Sequence, residues 1–151
     1  MVEPIKLKRN LTRIFLKSGG GEGYTMTFDG LSPSQRATLE LHCPLSDGEL
    51  PVIGGYKDEK EWLMITTKNI AWCFNGTRFC IPISSVRFAT IDFDTMQEKR
   101  LTMDKVNEIL ISTNDRGVIP LRMEAGGPMC GVWNALLHIS HQNASIDVDK
   151  T

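Results

Sequence analysis

Residues 61–83 read EWLMITTKNIAWCFNGTRFCIPI. Within them Asn75-Gly76 separates two runs of apolar, β-branched and aromatic residues. Both central positions of a type I′ turn need positive φ, which Asn and Gly adopt at low cost. The turn sets a register: Phe74 opposite Thr77, Cys73 opposite Arg78, Trp72 opposite Phe79, Ala71 opposite Cys80 and Ile70 opposite Ile81. Alternation then puts Ile70, Trp72, Phe74, Phe79 and Ile81 on one core-like face. Ala71, Cys73, Arg78 and Cys80 share the other, more mixed face. A slip of one residue would expose two aromatics, so the register is strongly specified. Residues 62–66 form a preceding strand, joined by a tight turn at Lys68-Asn69.

Downstream, Ser84-Ser85 is a corner. Residues 86–93 alternate as a strand, with Val86, Phe88, Thr90 and Asp92 on one side and Arg87, Ala89, Ile91 and Phe93 on the other. A polar loop follows, then strands over 106–113 and 118–123. Pro120 has no N–H to donate, which places the second of these at an edge or a bulge. Met129, Val132, Trp133, Leu136, Leu137 and Ser140 recur at helical spacing, a stripe that must be buried. From residue 142 the chain is polar and reads as a flexible tail.

Upstream, residues 51–56 read as the first strand of the main sheet, where Gly54-Gly55 permits a bend. Ser32, Pro33 and Gln35 form a helix start with a capping box, although Thr38-Leu39-Glu40-Leu41 also alternates as a strand would. Residues 24–28 suggest a short strand. The glycine run at 19–23 lacks the Lys-Ser/Thr of a phosphate loop and reads as a flexible linker. Residues 1–17 carry Lys6, Lys8, Arg9, Arg13 and Lys17 among Ile5, Leu7, Leu11, Ile14 and Phe15. They read as an arm docked on its own domain with solvated lysines, or as a basic amphipathic segment suited to an acidic membrane.

At 151 residues the chain is expected to form one domain with a substantial core. Its net charge of −1 argues against nucleic acid as a partner. No apolar run approaches the ~20 residues of a membrane span, and the charged N-terminus is unlike a secretory signal. The four cysteines, with no C-x-x-C pair, are expected as free thiols in the cytoplasm, without a Cys73–Cys80 bridge. No hydrolase, zincin, Walker or kinase signature occurs. His138 and His141 lie one helical turn apart, in line with Asn134 and Cys130. A metal could use that spacing, but the reading adopted is a solvated outer face. Asp92 and Asp94 read as a solvated loop entry rather than an acid–base pair. The expectation is therefore no enzyme, no metal and no cofactor.

The order of elements, with WLMITTKNIAWCF followed by TRFCIPISSVRFATIDF, resembles the pleckstrin-homology-like superfold, in particular its bacterial and GRAM-type members. Ile81-Pro82-Ile83-Ser84-Ser85-Val86 fits their strand entering a corner, and Trp133 their closing-helix Trp. The resemblance covers about residues 50–141. It implies a mainly β (α+β) fold: a bent antiparallel sheet or small barrel of about seven strands capped by a C-terminal helix. Residues 1–45 would be an N-terminal extension, 46–141 the domain and 142–151 the tail. Lipid-binding members place basic residues between their first two strands. Here Lys57 and Lys60 are offset by Asp58, Glu59 and Glu61. The resemblance therefore implies a non-catalytic module that contacts a protein or peptide, in an adaptor, inhibitor or immunity-type role. Its groove would lie between strand 86–93 and the closing helix, lined by Arg87, Ala89, Ile91, Phe93, Asn134 and His138. The alternative is a peripheral membrane module that meets acidic lipid through Lys6, Lys8, Arg9, Arg13 and Lys17.

Overall fold

The structure, a computed structural model, describes residues 3–149. Four helices and eight strands run in the order α1 (Pro4–Lys17), β1 (Thr25–Thr27), α2 (Pro33–His42), β2 (Pro51–Asp58), β3 (Glu61–Thr66), β4 (Asn69–Phe74), β5 (Thr77–Pro82), β6 (Val86–Thr90), α3 (Phe93–Glu98), β7 (Glu108–Thr113), β8 (Val118–Arg122) and α4 (Gly127–Asp149). The strands form two antiparallel sheets, β1-β2-β3-β4-β5 and β6-β7-β8. The fold is thus α+β with a C-terminal helix, and among the described residues the two sheets do not join into a closed barrel.

The central hairpin has the register read from its turn, from Phe74↔Thr77 through Ile70↔Ile81. Asn75 and Gly76 have φ of 50° and 81°, as a type I′ turn requires. Trp72 is fully buried and stacks on Phe79 with ring centroids 5.1 Å apart. The β4 half of the mixed face proves to belong to a second core, while Arg78 and Cys80 on β5 stay exposed. Ala71 and Cys73 are buried with Trp62 and Met64 beneath Phe28, Leu31 and Leu39. In the large sheet β3 and β4 are therefore covered on both sides: by α2 and its flanking segments on one, and by the main core with α1 and α4 on the other.

Local rules resolve α2 as a helix. Ser32 accepts from the Gln35 N–H, the Gln35 side chain accepts from the Ser32 N–H, and Pro33 opens the first turn. In α1, Leu7, Leu11 and Phe15 are spaced four apart and fall on one buried stripe. The glycine run is not a flexible linker but a packed turn. A Cβ on Gly20 would lie 2.3 Å from the Phe15 ring, and one on Gly19 would lie 3.0 Å from the Gly127 Cα. Residues 1–45 thus supply side chains to both cores.

Two further expectations are corrected. The strand from Val86 ends at Thr90, and a bulge interrupts its pairing with β7 between Val86 and Phe88. The extra residue turns Val86 and Ala89 both inward and leaves Phe88 51% exposed. Phe93 instead opens α3, which Asp92 caps by accepting from the Thr95 N–H at 3.0 Å. Of the tail expected over 142–151, residues 142–149 are the end of α4, and 150–151 lie outside the described residues. Asn143 anchors the helix end by donating from Nδ2 to the Ile83 and Val86 carbonyls, both at 2.8 Å.

Candidate functional site

The six residues expected to line a groove do not form one surface. Ala89 and Ile91 are buried in the main core, Arg87 is half-buried, and Phe93 is 54% exposed. On α4, Asn134 is exposed and its Nδ2 donates to the Cys130 carbonyl at 2.9 Å. His138 is half-buried beside Gln142, its ring nitrogen 3.0 Å from that amide. Helical geometry puts Asn134 and His138 on the outer ridge of α4, turned away from Leu136 and Val132 in the core.

The edge of β6 beside α4 is also closed. The Trp133 indole N–H donates to the Ala89 carbonyl at 2.9 Å, and Asn143 takes the Val86 carbonyl. Two acceptors that an added strand would need are thus already engaged. The periodic pattern placed Trp133 on the buried stripe, where it is half-buried with its N–H on β6. Nothing local marked Asn143, because its role depends on where the 83–86 corner lies in space.

The basic arm keeps its cations together. Around the buried Leu7, Leu11 and Phe15, the opposite side of α1 exposes Ile5, Lys6, Arg9, Arg13, Leu16 and Lys17. Lys8 leaves this group to pair with Asp29 at 3.2 Å. Among the described residues no carboxylate pairs with Lys6, Arg9, Arg13 or Lys17. Residues 4–17 contain no Asp or Glu, and neither do residues 127–146 of the adjoining α4. Two aliphatic side chains flank the cations, Ile5 at 59% exposure and Leu16 at 52%. The sequence showed the charges, but only the docking of α1 shows which of them face outward.

A cleft of about 330 Å³ opens on the α2 side of the large sheet, with His42, Cys43, Glu49, Met64, Arg78 and Cys80 in its lining. Arg78 lies 5.2 Å over the Trp62 ring and donates to the His42 carbonyl at 2.9 Å. Burial pushes the Cys43 thiol up to about 11, so it stays protonated at neutral pH. Glu49 stays ionised. Burial pushes its carboxyl up, but donors from Ser46, Thr66 and Asn69 outweigh that and leave it below the usual range. Those bonds pin the 46–49 loop to the turn at 66–69. Asp92, held low by the N–H and hydroxyl of Thr95, serves α3 as a cap. Among the described residues no group of three His, Cys, Asp or Glu side chains is arranged to hold a metal ion. No described helix is long and apolar enough to cross a membrane.

No protein-family model, curated protein or solved structure matches this chain.

Proposed function

We propose that this chain is a non-catalytic binding module of the pleckstrin-homology-like superfold that docks on an acidic membrane surface through α1. The superfold reading is supported by the order of elements: four antiparallel strands β2–β5, then β6–β8, then the helix α4. β1 and α2 are additions to that plan.

One observation carries the membrane reading: the outward face of α1, where Lys6, Arg9, Arg13 and Lys17 stand without a carboxylate between exposed Ile5 and Leu16. Each cation held near an anionic leaflet contributes about 1 kcal/mol. Aliphatic groups beside them gain further by entering the interface. The test is sedimentation with vesicles of phosphatidylglycerol and phosphatidylcholine. The wild-type protein is expected in the pellet at low salt. Replacing Lys6, Arg9, Arg13 and Lys17 by Glu should lower partitioning more than tenfold, as should raised salt. Wild-type protein that stays in the supernatant overturns the reading, and retention on duplex DNA without vesicle binding reassigns the face to nucleic acid.

A second reading, contact with a protein or peptide partner, is favoured by two exposed aromatics near β6, Phe88 at 51% and Phe93 at 54%. Phe93 lies 6.3 Å from Trp133, ring to ring. Under this reading, replacing both by Ser removes a partner retained by the wild type and leaves vesicle binding unchanged.

A further inference from the structure

The basic face does not end at the edge of α1. α4 packs alongside α1, and its outer ridge carries Asn134, His138 and His141. Gly131 of α4 sits against Phe15 of α1, and His138 follows two turns further along the same side of the helix, half-buried, with His141 exposed one turn on. The two imidazoles therefore lie at or next to the side of α4 that meets the basic helix, in a stretch of α4 that has no carboxylate from residue 127 to 146.

Resting on the membrane reading above, we infer that His138 and His141 extend this surface onto α4 and make its attachment to acidic lipid pH-dependent, stronger in mildly acidic conditions.

The surroundings of His138 set the direction. Burial lowers its proton affinity first, and then the neighbouring His141 and Arg13 lower it further. The elements packed on α4 are α1, β6, the 83–85 turn and β7. Their titratable or charged residues are Lys6, Lys8, Arg9, Arg13, Lys17, Arg87 and Glu108. Glu108, the one carboxylate on these elements, is bonded to Arg122 at 2.8 Å across β7 and β8, and the Glu22 carboxylate lies against Gly127, at the opposite end of α4 from His141. Among the described residues of these elements no other carboxylate is present to compensate a protonated His138, and an anionic leaflet against this ridge would supply the compensating charge. By linkage, binding and protonation reinforce one another: the surface that prefers the charged imidazoles binds more tightly as pH falls below ~6.5 and takes up protons as it does so.

Vesicle sedimentation at pH 7.5 and pH 5.5 tests this, using phosphatidylglycerol because its charge does not change over that range. Wild-type partitioning should rise on the order of tenfold at the lower pH, as expected for up to two added cations near the leaflet. The double variant His138→Gln, His141→Gln should lose the rise between the two pH values. Near-UV circular dichroism at both pH values separates titration from unfolding, and a rise accompanied by lost tertiary signal overturns the inference. Binding that is equal at both pH values overturns it too, as does a rise that survives in the double variant, and in these cases the membrane reading stands. No binding at either pH overturns both.

Discussion

Glu49 shows how a single buried charge is kept. It is 7% exposed, and no carboxylate with that little water remains ionised without several donors. The Ser46 N–H and hydroxyl serve one oxygen, and Thr66 and Asn69 serve the other. Because the folded carboxyl lies below its ordinary value, its contribution is fully present above the unfolded pKa of ~4.3 and is lost as pH falls through the folded one. Glu49→Gln should cost about 1–3 kcal/mol at neutral pH. It should also flatten the acid limb of a plot of urea stability against pH, whereas an unchanged acid limb would place the pH dependence elsewhere. Nothing local in the sequence pointed to this residue. Glu49 sits in a Ser-Asp-Gly turn, and its donors at 66–69 are brought to it only by the pairing of β2 with β3.

The pairing of α1 with α4 depends on one small residue. Gly131 lies inside α4, where Gly→Ala normally stabilises a helix by about 0.5–1 kcal/mol. Here a Cβ would come 2.8 Å from the Phe15 carbonyl oxygen and 2.6 Å from its ring. Backbone cannot retreat as a side chain can, so α1 would have to move off α4. Gly131→Ala is therefore expected to destabilise by about 1–3 kcal/mol, the range for overpacking a close contact. A thermal melt with an unchanged or raised midpoint would contradict this packing. The bulge in β6 belongs to the same scale. Alternation alone made residues 86–93 one clean strand, and nothing local announced an extra residue opposite β7.

For the whole molecule, the N-terminal segment is structural as well as a candidate docking surface. Leu7 is 5% exposed, Leu11 and Phe15 are fully buried, and all three belong to the main core. Deleting residues 1–18 is expected to yield protein with a lost or broadened urea transition, because three large core side chains leave at once and each costs about 2–5 kcal/mol. A cooperative, wild-type-like transition in the deletion would show that the arm is dispensable. The same packing explains why charge reversal, and not truncation, is the clean test of membrane docking: Lys6, Arg9, Arg13 and Lys17 point to solvent, and their replacement leaves the core intact.

What the sequence determined by itself lies within a turn or two of chain. The Asn75-Gly76 turn fixed five cross-strand pairs through its backbone angles, Ser32 and Gln35 closed their own cap, and the stripe from Met129 to Ser140 followed from helical period. Each depends on groups a few residues apart, so local sterics and hydrogen bonding suffice. Tertiary structure alone decided that β3 and β4 are buried on both faces, that Trp133 and Asn143 close the edge of β6, and that four cations of α1 face outward on a helix packed against α4. These features join residues tens of positions apart. Their energies come from burial and from satisfying backbone groups at the place where distant segments meet, and no periodicity in the chain encodes that place.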